Sequence, residues 1–258
     1  MPTITANEVE FYYELQGEGP PVILISGYTC DHEIWVPIYD NLLRHHQVLL
    51  FDNRAVGATQ DNGEMISAAL LAKDTMALAK ALKLKKPHII GHSMGGTVAQ
   101  MIALDYADAI NKVALLSTSA KWSEATLLAL ESHIKLKEKG VDPELYANIL
   151  LSWLFGETFL SSLDMRQGFI ENAIDTFDAQ TFEDQRRQYQ ALVDFDNKKN
   201  LPDIQAETLI VTGSQDLLAS PAESANLAKR IPNSQLQHLV CGHALTFEKP
   251  EELSKILL

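Results

Sequence analysis

The chain has 258 residues, 46% of them apolar, and a formal net charge of −13 at pH 7. This is enough chain for one large α/β domain or two small ones with a sizeable core. So acidic a balance repels phosphates, which argues against nucleic acid and anionic membranes as partners. Only two cysteines occur, Cys30 and Cys241, as expected of reduced thiols in a reducing compartment. The N-terminal residues show no basic stretch and no apolar core, so no signal peptide is expected. No apolar run reaches the ~18–20 residues of a membrane span. A soluble cytoplasmic protein is expected.

In chain order, residues 3–15 read as two short strands around Ala6-Asn7. They are closed by the turn-rich loop Gly17-Glu18-Gly19-Pro20-Pro21. Val22-Ile23-Leu24-Ile25 and Val48-Leu49-Leu50-Phe51 are continuous apolar runs, the pattern of strands covered on both faces. A helix is predicted between them over 34–44. The spacing of Ile66, Leu70, Ala77, Leu78, Ala81 and Leu82 predicts another over 66–82. Further strands are predicted at Ile89-Ile90, Val113–Leu116, Thr208–Val211 and 236–240. Ser220-Pro221-Ala222-Glu223 carries the signature of a helix start, with serine as cap, proline first and glutamate closing a capping box. Pro250 opens a terminal helix.

Alternating strands and helices predict a mostly parallel sheet of about eight strands flanked by helices. The alternation stops between residues 121 and 195. Helices are predicted there over about 123–139, 142–155 and 181–193, with no strand signal. The expected organisation is a core of residues 1–120 and 196–258 carrying a helical insertion, 121–195.

One segment carries chemistry. The strand Pro87-His88-Ile89-Ile90 runs into Gly91-His92-Ser93-Met94-Gly95, and a helix follows from Gly96. A serine in so sharp a strand-to-helix turn is held in a strained backbone region, beside the positive end of the helix. Serine needs a base to take its proton and a carboxylate to orient that base. Asp216 follows the strand 208–211, in Gly213-Ser214-Gln215-Asp216. His243 follows the last strand, in Cys241-Gly242-His243. In a parallel sheet such strand ends share one rim. The candidate catalytic set is therefore Ser93, Asp216 and His243. His32 is the competing base, and Asp194 and Asp196 are the competing acids. Each residue also has a plainer reading, Asp216 as a turn cap and His243 as a surface histidine. For a developing oxyanion the expected donors are the backbone N–H groups of Met94 and Tyr28, the latter in Ser26-Gly27-Tyr28-Thr29. Trp122, Trp153, Phe155, Phe159 and Phe169 are candidate lining for an apolar substrate pocket, or equally the insertion's own core.

On these motifs, together with Gly96, Thr212–Asp216, Gly242-His243 and the loop Phe51-Asp52-Asn53-Arg54, the chain resembles the α/β-hydrolase superfamily over nearly its full length. It is most similar to small bacterial esterase, enol-lactonase and perhydrolase-like members. The resemblance implies the α/β-hydrolase fold, a helical cap in place of the insertion, a Ser-His-Asp mechanism and no cofactor. Trp153-Leu154-Phe155 is similar to an apolar stretch of such caps. Two departures stand out. Ser26-Gly27 replaces the family's His-Gly, and Ala55 replaces the first glycine of its Asp-x-Arg-Gly-x-Gly loop. The expected activity is hydrolysis of a small carboxylic ester or lactone through an acyl-enzyme. The same residues support acyl transfer, carbon–carbon bond hydrolysis or perhydrolysis, and the scaffold also serves slow-turnover small-molecule receptors. Serine at the elbow argues against the family's dehalogenase and epoxide hydrolase chemistries, which use a carboxylate nucleophile.

Overall fold

The computed structural model describes residues 2–59 and 61–258. Eight strands form one sheet: β1 (Thr3–Ala6), β2 (Val9–Gln16), β3 (Pro21–Ile25), β4 (Gln47–Phe51), β5 (His88–His92), β6 (Val113–Leu116), β7 (Thr208–Gly213) and β8 (Ser234–Leu239). Their spatial order is β1-β2-β4-β3-β5-β6-β7-β8. β1 and β2 pair antiparallel with each other, and β2 antiparallel with β4; every other pairing is parallel. The helices between and after them are α1 (Val36–Leu43), α2 (Ala68–Ala81), α3 (Met94–Asp105), α4 (Glu124–Glu138), α5 (Pro143–Leu154), α6 (Glu157–Leu160), α7 (Leu163–Asp175), α8 (Phe182–Val193), α9 (Pro221–Arg230), α10 (Leu245–Glu248) and α11 (Pro250–Leu257).

Alternation along the central strands divides the core into two layers. Ile23, Ile25, Leu49, Phe51, Ile89, Val113 and Leu115 face the cluster completed by Leu71 and Leu78 of α2, Val98 and Ile102 of α3 and Leu227 of α9. Val22, Leu24, Val48, Leu50, Ile90, Ala114 and Leu116 face the opposite cluster, with Ile38 and Leu42 of α1, Leu245 of α10 and Leu253 of α11. Each fully buried aliphatic side chain contributes about 1.5–3 kcal/mol of transfer free energy. The continuous apolar runs follow from this, since both faces of each strand are covered.

Three details differ from the sequence reading. The 34–44 helix begins as a 3-10 turn, His32–Trp35, before α1. α2 starts after Ser67, whose side chain caps the Leu70 N–H, and it buries Leu71, Ala72, Thr75, Leu78 and Ala79 rather than a stripe through Leu70, Ala77 and Ala81. Its phase is set by Asp74, which turns inward to a buried arginine. The insertion between β6 and β7 holds five helices rather than three: α6 is a single turn of four residues, and α7 packs through half-buried residues without burying any fully. Among the described residues no helix is long and apolar enough to cross a membrane.

Candidate functional site

The parallel strands β3 to β8 end on one edge of the sheet, and the insertion leaves from that edge after β6. Ser93 stands there between β5 and α3, at φ 54° and ψ −118°. This is a left-handed conformation that costs a non-glycine residue about 1–3 kcal/mol. Its surroundings enforce it. The Ser93 N–H donates to the Leu116 carbonyl at 2.9 Å, and the Thr118 hydroxyl donates to the Ser93 carbonyl at 2.7 Å. The flanking glycines are required by space: a Cβ on Gly91 would collide with the Gly95 carbonyl, and one on Gly95 with the Ile25 carbonyl.

Asp216 and His243 meet. His243 Nδ1 lies 2.9 and 3.0 Å from the two carboxylate oxygens of Asp216, and both side chains are buried. Asp216 Oδ1 also accepts the backbone N–H groups of Leu218 and Ala219, each at 2.9 Å. Burial pushes the Asp216 carboxyl up. The charge and hydrogen bond of the His243 imidazole, with the Ala219 amide, outweigh burial and hold it below the usual carboxylate range. With Nδ1 donating to a carboxylate, the neutral ring keeps a free lone pair on Nε2.

The loop that carries His243 is fixed from three directions. The Leu154 carbonyl, at the end of α5, accepts the N–H groups of His243 and Ala244 at 2.8 and 3.0 Å. The Glu248 carboxylate accepts the N–H groups of Gly242 and Gly156 at 2.8 and 2.9 Å. His92, next to Ser93, places its Nε2 2.9 Å from the His243 carbonyl, with the two rings 5.0 Å apart. Burial, reinforced by the His243 charge, depresses His92 to about 4. It is therefore neutral at pH 7, and Nε2 donates. This bond ties the serine turn to the histidine loop. Among the described residues no hydrogen bond joins Ser93 Oγ itself to His243; such bonds commonly tighten only when substrate is bound.

The competing residues lie elsewhere. His32 Nδ1 is 2.7 Å from Asp52 Oδ1, and its ring packs on Tyr12 at 4.7 Å. The hydrogen bond to Asp52 raises its pKa. Asp196 pairs with Lys121 at 3.1 Å and Asp194 accepts from Gln190 at 2.8 Å, both on the surface.

The loop after β3 is a turn in which Cys30 N–H donates to the Gly27 carbonyl at 3.3 Å. A Cβ on Gly27 would stand 3.1 Å from Ser93 Cβ, so this loop lies against the serine. The N–H groups of Tyr28 and Met94 are engaged in no hydrogen bond among the described residues. Ser26, in place of the family's histidine, accepts Trp35 Nε1–H at 3.0 Å. Ala55, in place of a glycine, sits at φ 64°.

The aromatic candidates divide. Phe155 stacks on Phe159 with ring centres 3.8 Å apart and meets Phe169 edge-on at 5.0 Å, in a cluster with Leu151 and Ala244, the neighbour of His243. Trp122 belongs to a different cluster, continuous with the main core, and Trp153 is half-buried. Sequence reasoning passed over His92, Glu248 and the Leu154 carbonyl as supports. It also passed over Gln185 and Gln188, although their spacing with Leu192 (i, i+3, i+7) marks the buried face of α8.

A family model described as alpha/beta hydrolase fold matches residues 20–250. A curated protein of Agrobacterium fabrum, named "Putative carbamate hydrolase RutD", is 29% identical over 96% of this chain and 96% of its own length. Among solved structures, the enol-lactonase of Burkholderia xenovorans LB400 superposes with TM-score 0.89 at 24% identity, covering 99% of this chain and 98% of that one. MGS-M2, an alpha/beta hydrolase from a Medee basin deep-sea metagenome, gives 0.91 at 23% identity over 99% and 96%. At these identities the superpositions carry the fold. With the sheet order and the residues matched by the family model, they lead to one conclusion: this chain belongs to the alpha/beta hydrolase fold family and is a hydrolase.

Proposed function

We propose that the chain is a serine hydrolase that cleaves a small carboxylic ester or lactone, with Ser93 as nucleophile, His243 as base and Asp216 as its orienting acid. The observation that carries this reading is the buried His243–Asp216 pair at 2.9 and 3.0 Å, on the strand-end edge that holds the strained Ser93. Ser93 Oγ attacks the acyl carbon as its proton passes to His243 Nε2. Asp216, ionised well into the acid range, stabilises the imidazolium. The N–H groups of Tyr28 and Met94 receive the oxyanion. The imidazolium then protonates the leaving oxygen, and water, deprotonated by His243, releases the acid. No cofactor enters these steps. The insertion acts as a cap over the site, and Phe155, Phe159 and Phe169 bring an apolar surface up to the histidine loop.

The carbamate in the Agrobacterium relative's name is also an acyl carbon, and the same attack serves it, so carbamates join esters, lactones and vinylogous diketones as substrates to screen. The direct test is Ser93→Ala. Turnover of a short-chain p-nitrophenyl ester is expected to fall by at least about 10³-fold while far-ultraviolet circular dichroism is unchanged. Undiminished turnover would rule out this nucleophile.

A further inference from the structure

Three loops meet beside the His243–Asp216 pair, and hydrogen bonds close them into a ring. The Gln215 N–H, one residue before Asp216, donates to the Cys241 carbonyl at 2.9 Å. The other side of that peptide is the N–H of Gly242, one residue before His243, and it donates to Glu248 Oε1 at 2.8 Å. Glu248 Oε2 accepts the Gly156 N–H, from the insertion, at 2.9 Å. The next N–H along, that of Glu157, donates to the side-chain Oε1 of Gln215 at 2.8 Å and returns the ring to its start. The loop after β7, the loop after β8 and the turn between α5 and α6 are joined in this way.

The three backbones touch. A Cβ on Gly242 would stand 2.6 Å from the Gly156 nitrogen, and one on Gly213 would collide with the Gly242 carbonyl. Every donor in the ring is a main-chain N–H, so each side-chain atom facing one must be an acceptor. An ionised carboxylate meets two such donors at once, one on each oxygen, whereas an amide presents a donor of its own on one side. Glu248 therefore fits its place by charge as well as by reach. The bonds to Leu154 and His92 hold His243 by its own N–H and carbonyl. The Cys241–Gly242 peptide, which leads into it, is gripped on one side by Gln215 and on the other by Glu248. Released by Glu248, that peptide is free to turn, and the Cys241 carbonyl leaves the Gln215 N–H. The main-chain link between the loops that carry Asp216 and His243 is then lost.

We propose that Glu248 is a positioning residue, with Gln215 as its counterpart across the ring: together they make the 154–157 turn of the insertion part of the frame that sets His243 Nδ1 on Asp216. This rests on the serine hydrolase reading above. Docking of the insertion and setting of the pair are then coupled, since the Gly156 and Glu157 N–H groups complete the ring only when that turn is in place.

The test compares wild type, Glu248→Gln, Gln215→Ala, the double variant and Ser93→Ala on one p-nitrophenyl ester. Proton NMR of the His243 Nδ1–H, which a strong bond to a carboxylate moves far downfield, reports on the pair itself, and its loss in His243→Ala assigns it. Glu248→Gln sets an amide NH2 against one of the two N–H groups. It is expected to lower kcat roughly 10- to 100-fold, the scale of a small misplacement, with KM within about threefold, and to broaden away the downfield signal. Gln215→Ala, at an exposed position, is expected to lower kcat about three- to tenfold, the worth of one hydrogen bond, with KM likewise held. Because the two side chains act through one ring, the double variant is expected within about twofold of Glu248→Gln alone. Wild-type kcat in Glu248→Gln, a fall confined to KM, an unchanged downfield signal, or a double variant at the product of the two single effects overturns the proposal. Should Glu248→Gln fold poorly, Gln215→Ala decides alone, and wild-type kcat there overturns it. Full activity in Ser93→Ala overturns the underlying reading instead, while the His243 signal still reports on the ring.

Discussion

Between the Ser93 turn and the His243 loop, His92 has one nitrogen committed and one bare. Nε2 donates to the His243 carbonyl, while Nδ1 is buried without a partner among the described residues. Burial first, and then the His243 charge, disfavour a proton there and lower the ring's pKa to about 4 from 6.5. The linkage sign follows. Between these values the unfolded chain binds a proton that the fold refuses, so stability present above pH 6.5 drains away as pH falls toward 4, by up to about 3 kcal/mol. His32, raised by Asp52, runs the other way: its contribution is full below its unfolded pKa and is lost as pH rises through its folded value. His92→Gln keeps a donor for the His243 carbonyl without a titrating ring. Urea unfolding from pH 7.5 to pH 4 is expected to show a flatter loss of stability in this variant. A wild-type slope would show that His92 is not the group refusing the proton. The sequence marked His92 only as part of a serine motif. Its bond crosses 151 residues of chain, and no local pattern records such a distance.

The elements around the site are held by polar groups as much as by their apolar faces. Arg54, fully buried at the start of the loop after β4, is clamped by Asp74 of α2, with Nε to Oδ2 at 2.5 Å and Nη2 to Oδ1 at 2.9 Å. Its Nη2 also donates to the Asn7 carbonyl, so the pair joins α2, the β1–β2 turn and the loop whose Arg54 carbonyl accepts from Gln188 Nε2 at 3.2 Å. Breaking such a pair leaves the buried Arg54 with only the exposed Glu64 carboxylate, 3.4 Å away, as a charge partner. Asp74→Ala is expected to cost about 3–5 kcal/mol in urea unfolding, and a loss below about 1 kcal/mol would contradict this account of how α2 is docked. The same pair explains why the phase of α2 was not legible: an aspartate on the buried face breaks the apolar stripe from which phase is read. The start of α9 was legible, since Glu223 accepts the Ser220 N–H at 2.8 Å, the bond its spacing predicts. α7 went unread because its inner face, with Phe169 and Ile170, is only half-buried.

At the scale of the whole molecule, a single sheet edge gathers loops from β3, β4, β5, β7 and β8, and the insertion leaves from that edge after β6. The mostly parallel sheet and the positions of Ser93, Asp216 and His243 at strand ends were readable, because parallel strands with two covered faces write themselves as apolar runs ending in turn residues. What joins the insertion to that edge was not. Gln180, Gln188 and the Leu154 carbonyl bind backbone groups of distant loops, and amides bonded to main chain leave no signature in composition or period. The central claim is that these loops converge to make one serine reactive. The measurement that addresses it most directly is labelling with a serine-directed fluorophosphonate, followed by intact mass and peptide mapping of the wild type and of His243→Ala. The wild type is expected to take one equivalent, on the peptide carrying Ser93, and His243→Ala to label far more slowly. Label on a different residue, or equal rates in the two proteins, would contradict the account.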